Sequence, residues 1–152
     1  MGPLNALSLS DAARSIARGD CSAVDLTNAC ITAIEAAQPT LNCFISFDPD
    51  GALEQAKAAD ALQANGAALG PLHGVPLAHK DMFYRAGHVS TCGSKIRADF
   101  RPEVTATVLE RLQTAGALHL GGLNMAEFAT GPTGHNVHYG ACRNPWNPGY
   151  IT

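Results

Sequence analysis

The sequence of 152 residues lacks several features that would assign a function class directly. Basic residues are not in excess: ten Lys and Arg stand against thirteen Asp and Glu, the net charge is −3, and the basic residues are scattered. Direct binding of nucleic acid, which requires a basic surface, is therefore not expected. The sequence also has no apolar run near the roughly 18 residues of a membrane span, and no basic start followed by an apolar core. We expect neither a membrane partner nor export.

Cysteines are few, and their spacing forms no known pattern. The five occur at positions 21, 30, 43, 92 and 142, an odd number without a Cys-x-x-Cys motif. This spacing argues against both a disulfide framework and a zinc site. It is typical of a protein of the reducing cytoplasm, and we expect no cofactor.

The first 66 residues are predicted to be mainly helical. A first helix is expected to start with Ser10 as its cap, and a second with Ser22, where Asp25 completes a capping box. Pro39 is expected to end the second helix. Because nothing reactive converges in these helices, they are interpreted as scaffold or as a contact surface for a homodimer.

Short strands alternate with helices in the rest of the chain. Strands are predicted at residues 44–47, 75–81 and 117–120, and helices at residues 52–64 and 103–115. A strand, a helix and a strand in succession favour a parallel pair. The predicted fold class is α/β, with N-terminal helices packed against the first part of a mixed sheet.

One lysine stands at the end of the second predicted strand. Side chains alternate between the two faces of a strand, so Lys80 shares its face with Pro76 and Ala78, whereas Asp81 points to the other face. A lysine in a dry pocket can be held neutral and act as a general base. Lowering its pKa from about 10.4 to about 7 requires roughly 4 to 5 kcal/mol. A solvated lysine at a strand end is the ordinary alternative.

Four motifs in a fixed order are more specific than any one of them. They are Gly70–Asp81 (GPLHGVPLAHKD), Thr91–Ser94 (TCGS), Asn124–Phe128 (NMAEF) and Arg143–Trp146 (RNPW). With these motifs the sequence resembles the amidase signature family from about Leu69 to its last residue. The helical region before Leu69 matches only in general character.

The resemblance implies an amide-bond hydrolase that uses a serine nucleophile, a second serine in a cis peptide bond and a lysine. Lys80 matches that lysine and is the expected general base. Both serines of the family follow the Asn-Pro-Trp motif, and we expect them beyond residue 152. The chain is then an N-terminal fragment of a single amidase domain, with residues 1–66 as a helical lead-in and residues 67–152 as the start of the catalytic core. Without the remainder of its polypeptide it is expected to be inactive.

By the same resemblance, the loop after Asn124–Phe128 borders the acyl pocket for a small amide substrate. The expected substrate-binding residues are Ala129, Thr130, Gly131 and Pro132. Other residues of this region are expected to be structural: Asn124, Asn136, Arg143, Asn144 and Trp146.

Two alternative sites are open to a test. Ser94 and Lys80 could form a self-contained serine–lysine dyad, although Ser94 lacks the strained elbow of many serine nucleophiles. His135 and His138 stand three residues apart, but no carboxylate or cysteine follows at ligand spacing, so no metal is expected.

Two alternative functions also stay open. One is a non-catalytic binding protein on a truncated amidase scaffold. The other is the ammonia-transferring A subunit of a tRNA-dependent amidotransferase, which relies on partner proteins to hold the tRNA. Residues 131–136 and 140–143 look closer to general bacterial amidases, so hydrolysis is preferred.

Overall fold

Two helices open the chain, and strands and helices alternate after them, as expected for an α/β protein. The computed structural model describes residues 2–67 and 69–152. In chain order the helices and strands are α1 (Leu9–Arg18), α2 (Ala23–Leu41), β1 (Phe44–Phe47), α3 (Pro49–Ala64), β2 (Pro76–Lys80), α4 (Thr107–Thr114) and β3 (Leu118–Leu123). Single 3-10 turns lie at Leu4–Ala6, Lys95–Arg97 and Glu127–Ala129. Within the described ranges, no helix is both long enough and apolar enough to cross a membrane.

The three strands form a mixed sheet in the order β1-β3-β2. β1 runs antiparallel to β3, with Phe44 opposite Leu123. β2 runs parallel to β3, since the Val75 carbonyl accepts from Leu118 N at 2.8 Å and the Leu123 carbonyl accepts from Asp81 N at 3.1 Å. The predicted α/β class and the predicted parallel pair are both confirmed.

The chain divides into two compact units, each built from separate stretches of sequence. The first comprises the residues up to Glu35, Asp48–Leu77 and Glu110–Leu120. The second comprises Ala36–Phe47, Ala78–Leu109 and Gly121–Thr152.

Small apolar side chains form the core of the first unit. Its buried cluster consists of Ala12, Ile16, Ala23, Leu26, Ala56, Ala59, Val75 and Leu118. The many alanines let the backbones approach closely: a Cβ on Gly74 would stand only 2.7 Å from the Cβ of Ala23. The core therefore has no room for a methyl group on Gly74 unless its neighbours shift.

Polar side chains of α3 complete the ends of two other helices in the first unit. The Asp60 carboxylate accepts from the N–H groups of Ala23 and Val24, at 2.7 and 3.1 Å, where α2 begins. The Gln63 amide donates to the Ile16 carbonyl at 2.7 Å near the end of α1. The first N–H groups of a helix have no partner within that helix, so Asp60 supplies partners for Ala23 and Val24. The Ile16 carbonyl already accepts from Gly19 N at 2.9 Å, so the bond from Gln63 is its second.

Two predicted helix starts are wrong. α1 is capped by Ser8 instead of Ser10, because the Ser8 hydroxyl accepts from Asp11 N at 3.2 Å. α3 begins three residues earlier than predicted, at Pro49, with Asp48 as its side-chain cap. Proline is favoured at the first position of a helix because its fixed φ suits the helix and its missing N–H would be unpaired there in any case.

The start of α2 is as predicted, but its end is not. Ser22 N donates to the Asp25 carboxylate at 3.2 Å and Asp25 N donates to the Ser22 hydroxyl at 2.9 Å, which is the predicted capping box. The helix then runs past Pro39. A proline removes only its own N–H, and the following turn is still closed by a hydrogen bond from Asn42 N to the Gln38 carbonyl at 2.9 Å.

α4 is shorter than the predicted helix over residues 103–115, because it starts at Thr107. The N–H of the preceding Ala106 donates to the Tyr84 carbonyl at 2.8 Å. This tertiary contact holds the chain before α4 in a non-helical conformation that local propensity does not reveal.

Candidate active site

At the end of β2, two neighbouring side chains have opposite environments. Lys80 is exposed, whereas Asp81 is only 2% exposed. Alternation along a strand explains the difference. The preceding His79 ring packs edge-on against Phe83, with ring centroids 6.5 Å apart, and burial lowers the pKa of its imidazole. Of these two side chains, Lys80 is therefore the one that faces solvent at the end of β2.

Asp81 fixes the loop that follows it. Its carboxylate accepts from the Thr91 hydroxyl and from Thr91 N, the latter at 2.9 Å. Its backbone carbonyl accepts from the Ser90 hydroxyl at 2.8 Å and from Cys92 N at 3.3 Å. Burying a carboxylate is costly unless donors surround it. The hydrogen bonds from residues 90–92 therefore satisfy the buried Asp81 and hold that segment next to Lys80.

Gly122 of β3 lies next to Asp81 and, as a glycine, has no side chain between the two. A Cβ on Gly122 would stand 2.9 Å from Asp81 Oδ1 and 2.9 Å from Ser46 Oγ. Gly122 N also donates to Ser46 Oγ at 3.1 Å. Glycine is required here because the backbone approaches two polar side chains closely.

A hydrogen-bonded cluster of Ser94, Glu127 and His138 joins three loop segments of the second unit. The Ser94 hydroxyl is fully buried and donates to Glu127 Oε1 at 2.5 Å. His138 Nε2 lies 3.0 Å from the same oxygen. The hydrogen bond from Ser94 lowers the pKa of the Glu127 carboxyl, against the opposing effect of burial, and His138 lowers it further. The cluster therefore stabilises Glu127 in its charged form.

The side chain of Asn136 makes a second link between the same loops. Its Nδ2 donates to the carbonyls of Gly93 and Met125, at 2.7 Å each. Its Oδ1 accepts from His138 N at 2.8 Å and from Tyr139 N at 3.0 Å. Asn136 is 6% exposed, so water cannot easily replace these bonds.

Three residues beside these clusters have left-handed backbone conformations although none is glycine. Cys92, Phe128 and Ala129 have φ values of 55°, 49° and 57°. Phe128 N donates to the Cys92 carbonyl at 2.8 Å, which ties two of the strained positions together. Such conformations cost about 1 kcal/mol or more each and concentrate at functional sites. The loops around Ser94 and Phe128 are therefore candidates for function on backbone grounds alone.

The four residues expected to line the acyl pocket begin within this strained turn. Ala129, Thr130, Gly131 and Pro132 are all exposed. The Thr130 hydroxyl donates to the Glu127 carbonyl at 2.7 Å, which anchors the segment to the cluster of Ser94, Glu127 and His138. Contact of these four residues with substrate stays a prediction.

The alternative dyad of Ser94 and Lys80 is not formed. The Ser94 hydroxyl donates to Glu127, whereas Lys80 is an exposed residue at the end of β2. A fully buried hydroxyl that is hydrogen-bonded to a carboxylate is not placed to attack a substrate.

The two histidines considered as metal ligands have different partners. His135 Nδ1 lies 3.0 Å from Thr133 Oγ1, whereas His138 is bonded to Glu127. Across residues 2–67 and 69–152, no group of three His, Cys, Asp or Glu residues converges as a metal site requires.

The sequence motifs indicated some of these roles and missed others. Asn124 is structural as predicted: it is 9% exposed, and its Nδ2 donates to the carbonyls of Asn42 and Gly140 at 3.0 Å each. Trp146, in contrast, is 93% exposed. The motifs did not predict that Asp81 anchors the loop after β2 or that Glu127 bonds Ser94 and His138, although both residues lie inside the motifs. For Asp81 a signal was available, since a carboxylate directly follows the lysine at the strand end.

Comparison with known proteins identifies the family. The family model described as Amidase matches residues 25–152. The chain therefore belongs to the amidase family, and the resemblance drawn from the four motifs is confirmed.

Individual relatives differ in what they do. The A subunit of glutamyl-tRNA(Gln) amidotransferase from Chloroflexus aurantiacus is 45% identical over 148 residues, which is 97% of this chain and 30% of the relative. The peptide amidase of Stenotrophomonas maltophilia is 32% identical with a TM-score of 0.87, covering 96% of this chain and 31% of that one. A structure from a vestigial protein complex, connected with the origins of an s-triazine catabolic enzyme, is 38% identical with a TM-score of 0.90, covering 95% and 32%. The chain spans about 30% of the length of the curated relatives that it matches.

Proposed function

We propose that this chain is the N-terminal part of an enzyme that cleaves amide bonds, with Lys80 as its general base. The observation that carries the proposal is the position of this motif lysine at the end of β2, directly before the buried Asp81 that anchors the next loop. A general base must be held in a defined position relative to the group that it deprotonates. The contacts of Asp81 supply that position.

The proposed chemistry is acyl transfer. Neutral Lys80 takes the proton of a serine nucleophile through a bridging serine while the nucleophile attacks the amide carbon. The proton then goes to the leaving amine as the C–N bond breaks, and water hydrolyses the resulting acyl-enzyme. We place both serines in the polypeptide beyond residue 152, so the chain alone is expected to be inactive.

Neutral Lys80 requires surroundings that remove its exposed side chain from water. We assign this to segments of the complete enzyme that cover the end of β2. Ala129, Thr130, Gly131 and Pro132 are proposed to contact the acyl group of the substrate.

Substitution of Lys80 in the complete enzyme tests this assignment. Lys80→Ala removes the base, and Lys80→Arg keeps a permanent charge because a guanidinium does not lose its proton in proteins. Both changes are expected to lower turnover about 10²- to 10⁴-fold, with circular dichroism unchanged. Lys95→Arg, at another exposed lysine of the second unit, is the matched control and keeps full activity. Turnover near that of the unaltered enzyme in Lys80→Arg removes Lys80 from the mechanism.

Two reactions compete as the whole enzyme's activity. The sequence of residues 131–136 favours hydrolysis of small amides, and the peptide amidase among the structural relatives fits that choice. The 45% identity with one component of an amidotransferase favours transfer of ammonia instead. We place hydrolysis first because residues 131–136 and 140–143 look closer to general bacterial amidases.

An assay of the complete protein separates the two reactions. Ammonia release is measured first from simple aliphatic and aryl amides with the protein alone, then from glutamine with and without candidate partner subunits. Hydrolysis predicts release from the simple amides without a partner. Cleavage of glutamine alone, and only when the partners are present, replaces hydrolysis by transfer. Failure of both, in a protein that folds and binds a partner, favours a non-catalytic scaffold.

A further inference from the structure

Two cysteines that are far apart in sequence have neighbouring side chains in the second unit. Cys43 lies just before β1, and Cys142 lies in the segment that leads to the Asn-Pro-Trp motif. Burial raises the pKa of the Cys43 thiol, and the Cys142 thiol is close enough to Cys43 to raise it further. Both residues are partly exposed, so a small molecule in solution can reach them.

The backbone on the N-terminal side of Cys43 is bonded directly to the segment around Cys142. Arg143 N donates to the Leu41 carbonyl at 2.8 Å. The Asn42 amide donates to the carbonyl of Tyr139 at 2.8 Å and to that of Ala141 at 3.4 Å. The residues on both sides of Cys142 therefore have their positions set by residues that directly precede Cys43.

Asn124 closes the same arrangement from the end of β3. Its backbone N–H donates to the Cys43 carbonyl at 2.7 Å. Its side chain donates to Asn42 and Gly140 together, one residue before Cys43 and two residues before Cys142. The segments that carry the two cysteines are thus held side by side by hydrogen bonds, and a disulfide forms readily only where the backbone already holds both residues within reach.

We propose that Cys43 and Cys142 are a redox-modification site that forms an intramolecular disulfide by exchange with a small disulfide such as oxidised glutathione. The bond would fasten the segment that precedes the Asn-Pro-Trp motif to the start of β1. Reversible disulfides of this kind are the form in which disulfides usually occur in reducing compartments. The proposal is independent of the proposed amidase activity.

The exchange balances in two steps. The thiolate of one cysteine of the pair attacks one sulfur of oxidised glutathione, the S–S bond breaks, and one glutathione thiolate leaves. The other cysteine then loses its proton to water, and its sulfur attacks the sulfur of the first cysteine and displaces the second glutathione. The protein loses two protons and two electrons, and one glutathione disulfide becomes two glutathione thiols.

The test is exchange of the complete protein with oxidised glutathione, followed by alkylation of the remaining thiols and non-reducing peptide mass spectrometry. The expected product is a monomer with a peptide cross-link between Cys43 and Cys142, alkylated Cys21, Cys30 and Cys92, and full reversal by dithiothreitol. Cys43→Ser is expected to stop at a glutathione adduct on Cys142. Cys30→Ser is the matched control and still forms the cross-link.

The same exchange with oxidised glutathione in denaturant distinguishes a cysteine pair held together by the fold from random pairing. Five cysteines can pair in ten ways, and the unfolded chain samples all of them. Preference for the pair of Cys43 and Cys142 in the native protein, lost in denaturant, supports the site. Single adducts without a cross-link, or a native pattern as mixed as the denatured one, overturn it. Intermolecular dimers through these cysteines, seen on a non-reducing gel, overturn it as well.

Discussion

Replacing Asn136 by alanine tests whether one buried amide holds the loops of the candidate site together. The change deletes two donated hydrogen bonds of 2.7 Å, to the carbonyls of Gly93 and Met125. It also deletes two accepted bonds, from His138 N and Tyr139 N. The site is 6% exposed, so the freed carbonyls are poorly placed to find water.

The expected loss of stability follows from the groups left without partners. A buried polar group that loses its partner costs about 1 to 3 kcal/mol. Gly93 and Met125 are buried, whereas His138 and Tyr139 are only half-buried and can reach water. Counting the two carbonyls alone, Asn136→Ala is expected to lower the free energy of unfolding by about 2 to 6 kcal/mol. This is a large part of the roughly 5 to 15 kcal/mol that is usual for a whole domain.

Urea unfolding followed by circular dichroism measures the effect. Asn147→Ala is the matched control, because Asn147 is exposed and its Oδ1 accepts a single bond, from Gly149 N at 3.0 Å. The control is expected to change stability by less than about 1 kcal/mol. Asn136→Asp keeps the shape but loses both donors, and it is expected to destabilise at least as much as alanine. If Asn136→Ala and Asn147→Ala unfold at the same urea concentration, the Asn136 bonds do not hold the loops.

Two further predictions concern a close backbone approach and a charged cluster. Gly70→Ala is expected to destabilise the protein by about 1 to 3 kcal/mol, because the added Cβ would stand 2.3 Å from the Ala115 carbonyl oxygen. Gly2→Ala is the control, because a Cβ on Gly2 would have nothing within 4 Å. Equal urea midpoints for the two variants would contradict the predicted clash. Ser94→Ala is expected to raise the pKa of Glu127 towards its ordinary value of 4.5, as followed by NMR titration. Because the folded-state pKa lies below the unfolded-state value, the stabilisation from this carboxylate is present above about pH 4.5 and is lost as the pH falls through the folded-state pKa. The pH-dependent part of the stability difference between the unaltered protein and Ser94→Ala should therefore shrink in acid. An unchanged Glu127 titration in Ser94→Ala would refute this account.

The sequence alone determined the fold class, the family and the location of the three strands, although β3 runs to Leu123, three residues past its predicted end. Period-two and helical patterns depend only on which residues are apolar, so Phe44–Phe47, the strand before Lys80 and the capping box of Ser22 and Asp25 could be read without a structure. The position of Lys80 next to a carboxylate on the opposite face also follows from alternation. The order of the four motifs then identified the family.

Only the tertiary structure decided which distant groups meet. The bond from Ala106 N to Tyr84 shortens α4, the hydroxyl of Ser94 is directed to Glu127 instead of a substrate, and the thiols of Cys43 and Cys142 are brought together. None of these has a local signal, because residues that are neighbours in space but tens of positions apart in sequence leave no periodicity. Cysteine spacing argued against a disulfide framework, and it could not reveal a pair whose proximity depends on hydrogen bonds made by Asn42 and Asn124.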